Sequence, residues 1–264
     1  MWRASPDTPQ WAAMIDASTT VQSVSVATAR SFAAGTGAVG YAVATKGAVP
    51  RQLGLSRAAL AANGFEGKSG QVLAVPDGDT LRVAVGVGAP GEIDANGLRS
   101  AAAAFGRAAS KFENVATNLT DLDGVDADEA ARAVVEGVLL ASYRYVGLKN
   151  ADDAGSKLRA LTVVAGAKRA KGVERGAEAG RVIAGAAAFA RELANTPPTY
   201  LNAKDIAAKA VELGPDAGLT VEVFNKDDLL AMGCGGIIGV NRGSTETPRM
   251  VKLTYSPRNP KGHL

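Results

Sequence analysis

The chain has 264 residues, 47% of them hydrophobic and 21% charged, which suits a soluble globular protein of one large or two ordinary domains. Twenty-nine basic residues are spread among 26 acidic ones, without a long basic run, for a net charge of +3, which permits weak attraction to DNA but does not imply it. One cysteine, Cys234, excludes an internal disulfide and points to a cytoplasmic protein, and one histidine, His263, excludes a His-rich metal site.

The first 20 residues read as a poorly ordered tail without the basic start and apolar core of a signal peptide. No run of about 18 uncharged apolar residues occurs, so no membrane span is expected. Strand-like runs follow at Val21–Ala27, Ala38–Thr45, Gln71–Val75, Leu81–Val87, Asn114–Leu119 and Leu158–Val164. Helical patterns lie between several of them. Ser56 is placed to cap SRAALAANG, Asp94 to cap DANGLRSAAAAFGRAAS, and Asp126 or Asp128 to start DADEAARAVVEGVLLASY. Strands alternating with helices predict an α/β layer sandwich on a mostly parallel sheet over residues 21–170.

Residues 171–195 then read as one long linking helix. Val182, Ile183, Ala186, Phe189, Ala190 and Leu193 share a helical face, which is expected to be the packed one. Pro197 and Pro198 stop the helix. Asn202 and Asp205 form a capping-box-like pair for a further helix with an apolar stripe of Ile206, Ala210 and Leu213. Leu219–Phe224 and Arg249–Tyr255 read as strands, with a short helix in NKDDLLAMG between them. A second α/β domain thus opens at residue 196, too small by 264 to close a core of its own. Val251, Leu253 and Tyr255 are expected to lie uncovered. SPRNPKG turns the chain, and His263-Leu264 look like the start of another strand.

Four groups invite a chemical reading. Gly86, Gly88 and Gly91 lie between a strand and a helix, where a glycine loop either cradles a phosphate or simply turns the chain. Met232–Ser244 is glycine-rich and holds Cys234. It is either a ligand loop or a place of close backbone approach and positive φ, and no base adjoins the thiol in sequence. Asp121, Asp123, Asp126, Asp128 and Glu129 lack the twelve-residue calcium-loop pattern and suit a polar turn with a helix N-terminus. Lys168, Arg169, Lys171 and Arg175 read as a solvated basic stretch or a set of phosphate contacts. No nucleophile–base pair, carboxylate pair or metal-ligand spacing is assembled.

The segment ELANTPPTYLNAKDIAAKA, with LTVEVFNKDDLLAMGCGGIIGVNRGSTETPRMVKLTY after it, resembles the leucyl aminopeptidase family of metal-dependent exopeptidases. The matching features are Leu193-Ala194-Asn195, Pro197-Pro198, Ile206-Ala207, Met232-Gly233, Gly239, Gly243-Ser244, Pro248, and the strand with Leu253 and Tyr255. Thr199 stands where many members have asparagine. The resemblance is specific over residues 189–264 and architectural before them.

It implies a macro-like N-terminal α/β domain, a long linking helix and the start of a C-terminal catalytic domain, here incomplete. It also implies a homo-hexamer that releases N-terminal residues, often leucine, from peptides with two divalent metal ions, manganese or zinc. In the family the ligands, which are a lysine, aspartates and a glutamate, follow the strand expected at His263-Leu264. No catalytic, cofactor-binding or metal-binding residue is therefore assigned within 1–264, and the chain alone is expected to be inactive. The alternatives are a non-catalytic nucleic-acid or nucleotide-binding module and a structural subunit of a hexamer.

Overall fold

The structure is a computed structural model that describes residues 21, 23–148, 155–260 and 262. The expected tail at 1–20 and the expected strand start at His263-Leu264 lie outside the described residues. The chain forms two compact units that divide between Glu192 and Leu193.

The first unit is built on a six-stranded sheet of β1 (Ser25–Ala29), β2 (Ala38–Val43), β3 (Val72–Asp77), β4 (Thr80–Gly86), β5 (Asn114–Thr117) and β6 (Ala160–Val164). The strand order is β1-β6-β5-β2-β4-β3. Only the β3–β4 pair is antiparallel. A parallel sheet buries its central strands on both faces, so those strands read as continuous apolar runs. In β2, AVGYAV, every residue is buried except half-buried Ala42. β1 is an edge and is exposed or half-buried throughout.

Alternate side chains feed two layers. Ala38, Val83, Val85, Val115, Leu161 and Val163 face the main core with helices α2 (Ala95–Ala108), α3 (Ala127–Ser142) and α4 (Ala170–Asn195). Val39, Tyr41, Val43 and Ala84 face the opposite way, onto Leu53 and onto α1 (Arg57–Ala62) through Leu60. Each expected cap is present. The Ser56 hydroxyl accepts from the Ala59 N–H at 3.1 Å and the Asp94 carboxylate from Gly97 at 2.7 Å. Asp126, rather than Asp128, caps α3 through the N–H groups of Asp128 and Glu129.

Helix α4 departs from the expected packing. Val182 and Ile183 are 54% and 44% exposed, and Ala186 and Ala190 are exposed as well. The buried face is instead Val173, Gly176, Ala177, Gly180, Ala184, Ala188 and Glu192. The reason is a ridge of glycines four residues apart. A Cβ on Gly172 would lie 2.8 Å from the Ala127 Cβ, on Gly176 2.0 Å from the Asp128 carbonyl oxygen, and on Gly180 2.7 Å from the Arg132 carbonyl oxygen. Backbone-to-backbone approach of α4 to α3 outweighs the burial of larger side chains on another face. Gly137 does the same for α2 against α3, with 2.3 Å to the Arg99 carbonyl oxygen.

The second unit contains α5 (Ala203–Leu213), β7 (Leu219–Phe224), α6 (Lys226–Ala231), α7 (Gly235–Val240) and β8 (Met250–Tyr255). β7 and β8 form an antiparallel pair. The capping box of α5 is complete, with Asn202 and Asp205 satisfying each other's N–H groups. The expected stripe of α5 is not its packed face: Ile206 and Leu213 are exposed, and Ala207 and Lys209 are buried. On β8, Leu253 and Tyr255 are 53% and 67% exposed as anticipated, whereas Val251 is half-buried.

The glycine-rich stretch also differs from expectation. Only Gly233 has a positive φ, of 71°, and Gly235–Val240 is a helix. A Cβ on Gly235, Gly236, Gly239 or Gly243 would meet nothing within 4 Å among the described residues, so close approach is not what these glycines provide here.

Candidate functional site

The Gly86–Gly91 loop has the conformation of a turn. Gly88 and Gly91 take φ of 89° and 86°, values that only glycine adopts freely. Three of its amides are already used. The N–H of Gly86 donates to the Gln71 carbonyl, that of Val87 to Val43, and that of Gly88 to Gly67. The following helix N-terminus carries the Asp94 carboxylate, which repels an anion. These bonds take the amides of Gly86, Val87 and Gly88.

The acidic residues divide among structural tasks. The Asp121 carboxylate accepts from the Gly166 N–H at 3.1 Å, Asp126 caps α3, and Asp128 pairs with Arg175 at 3.2 Å. The two amide bonds at the cap hold the Asp126 carboxyl below the usual aspartate range. The basic stretch is partly structural too. Arg169 donates to the carbonyls of Thr120 at 3.0 Å and Val125 at 2.8 Å, fastening the turn before α3.

Cys234 is half-buried at the start of α7, where its side chain makes no capping bond. No group of three or more His, Cys, Asp or Glu placed to hold a metal ion occurs among the described residues. The described residues therefore do not fit a two-metal centre. No helix among them is long and apolar enough to cross a membrane.

One buried charge escaped the sequence reading. Glu192 sits on the packed face of α4 with no exposure. It accepts from the Tyr143 hydroxyl at 2.9 Å, and Arg191 lies 5.8 Å from the centroid of the same ring. Burial pushes its carboxyl above the ordinary glutamate range, with the Tyr143 bond acting in the opposite direction. The only sequence signal for it is its helical spacing from Ala184 and Ala188.

A mostly parallel sheet unit, a 26-residue helix followed by Pro197-Pro198, and a second strand-and-helix unit make an α/β chain of two compact units. Comparison with known proteins places it. Residues 43–152 match the cytosol aminopeptidase family's N-terminal domain, and residues 188–264 match the catalytic domain of the same family. A probable cytosol aminopeptidase of Rhodococcus jostii (strain RHA1) is 37% identical over 207 residues, 75% of this chain and 40% of that protein. One from Mycobacterium leprae (strain TN) is 39% identical over 193 residues, 71% and 36% of the two chains.

Among solved structures, the bottromycin maturation enzyme BotP in complex with Mn superposes with a TM-score of 0.70 at 33% identity, over 84% of this chain and 46% of that one. A tomato leucine aminopeptidase variant superposes with a TM-score of 0.74 at 20% identity, over 90% and 52%, which speaks to the fold. The chain belongs to the cytosol, or leucyl, aminopeptidase family. It spans about 40% of the length of the curated relatives.

Proposed function

We propose that this chain is the N-terminal domain and the opening of the catalytic domain of an aminopeptidase that releases N-terminal residues, leucine preferentially, from peptides. The observation that carries the reading is the order of the two family matches, sheet domain before catalytic domain, the first ending before one continuous helix and the second beginning within it. The whole enzyme works as a homo-hexamer with two divalent ions, manganese or zinc. The manganese complex of BotP supports the choice of metal. On this reading the metal-binding and catalytic groups lie in sequence other than 1–264, and no group of three or more His, Cys, Asp or Glu placed to hold a metal ion occurs among the described residues.

Within that enzyme this chain's own contribution is scaffolding. The capped start of α5, the β7–β8 pair and the buried Leu229 form one corner of the catalytic domain. A fusion experiment tests the reading. Residues 1–264, joined in register to the C-terminal part of the Rhodococcus relative, should hydrolyse leucine p-nitroanilide with manganese, and the 264-residue chain alone should not. Activity of the unfused chain above a metal-free control, or a folded but inert fusion, would refute it.

A further inference from the structure

Among the described residues, strand β1 leaves outward-facing main-chain groups without a neighbouring strand, beside a groove. In a parallel pair, alternate residues of a strand bond to the neighbour, and the residues between them direct their N–H and C=O groups the other way. The Ser25 N–H donates to the Arg159 carbonyl, and the Ala29 carbonyl accepts from the Ala165 N–H. Ser25, Ala27 and Ala29 thus face β6, and Val26 and Thr28 face outward. β1 pairs with no strand other than β6 among the described residues.

Val26 and Thr28 line an open cleft of about 810 Å³ whose other wall is the first half of α4, with Glu174, Arg175, Ala177, Glu178 and Ala179. That volume lies in the range of ligand-sized clefts. The charges of the α4 wall are unbalanced. Arg175 is paired with Asp128, and Glu178 with Arg181 at 2.6 Å. Glu174 has no ion-pair partner among the described residues. The free ladder therefore borders an apolar floor and an uncompensated carboxylate.

We infer that the β1 edge is a docking site for an extended peptide segment, which adds as a strand on Val26 and Thr28 and sets a basic side chain against Glu174. Main-chain bonds supply the attachment and the α4 wall the selectivity, as in other strand-addition sites. The occupant is cationic because the one unneutralised group on the wall is an anion. The inference is independent of the aminopeptidase reading.

The test uses the full 264-residue chain and a fluorescent hexapeptide, acetyl-(Val-Lys)3-amide, in a binding titration. Its blocked ends keep it from being an aminopeptidase substrate, so binding and turnover fail separately. Saturable binding is expected, at least tenfold tighter than for the (Val-Glu)3 version and lost when the backbone is fully N-methylated. Thr28→Pro removes an outward N–H and no bond to β6, so it should abolish binding at an unchanged melting temperature. If that variant does not fold, Glu174→Lys serves instead and should reverse the preference toward the glutamate peptide. Equal binding of the N-methylated peptide, or no binding of any, overturns the inference. So does a concentration-dependent dimer that Thr28→Pro dissolves, because a second copy would then occupy the edge.

Discussion

Gly176→Ala should destabilise the first unit, and the structure sets the size of the effect. The new Cβ would lie 2.0 Å from the Asp128 carbonyl oxygen, 2.7 Å from its carbonyl carbon and 2.9 Å from its Cα. Ordinary contact begins at 3.4 Å, so α4 must retreat from α3 by more than an ångström against rigid backbone. Alanine brings a gain of about 1 kcal/mol in helix propensity. Overpacking against backbone costs about 3 kcal/mol, at the upper end of its usual range, because Val173, Ala177, Ala184 and Ala188 loosen with the helix. The net loss is about 2 kcal/mol, or roughly 4–8 °C in the melting temperature of a unit of this size. Thermal melts followed by circular dichroism measure it. Gly239→Ala, in a helix with nothing within 4 Å of the new methyl, is the control and should be neutral or raise stability by up to about 1 kcal/mol. A Gly176→Ala protein that melts at or above the parent temperature would refute the glycine-ridge account of α4.

Two further outcomes follow from burial. Glu192 binds its proton more tightly in the folded than in the unfolded chain, so its contribution to stability is complete below the unfolded glutamate pKa and fades as pH rises through the raised folded value. Glu192→Gln should flatten that limb of the stability–pH curve, and equal slopes for the two proteins would show that this carboxyl does not set it. In limited trypsin digestion, residues 195–264 should be cut before 23–192, because the second unit leaves Leu253, Tyr255 and Val240 exposed on short elements. Simultaneous loss of both units on a denaturing gel would contradict the two-unit description.

The sequence was most legible where the physics is local. Ser56, Asp94, Asp126 and Asn202 cap helices by reaching two or three residues ahead, and all four do so in the structure. The central strands β2 and β4 are apolar runs, as burial on both faces of a sheet requires, and all six expected sheet strands are present with ends moved by up to four residues. Helix faces were less legible. A hydrophobicity count on α4 favours Val182 and Ile183, yet the face that packs is the one whose glycines permit the closest approach. The same bias selected Ile206 on α5 over Ala207.

The candidate site was legible mainly in its bland readings. The Gly86–Gly91 loop has turn geometry, and distant carbonyls at Gln71, Val43 and Gly67 take the amides of Gly86, Val87 and Gly88, a pairing that no local pattern carries. Glu192 was missed for a similar reason, since its partner Tyr143 lies 49 residues away.

The position of β1 sets the order in which the first unit can be assembled. Among the described residues its sole pairing is with β6, and Ser25 reaches Arg159 across a sequence separation of 134. On the ribosome, β2, β3, β4 and β5 become available and can join one another while β1 waits for a neighbour not yet made. At ordinary rates of synthesis the wait is on the order of ten seconds. During it, a nascent SVATA strand is exposed on both edges, and residues that end as an open rim begin as the longest-lived unsatisfied segment of the growing chain.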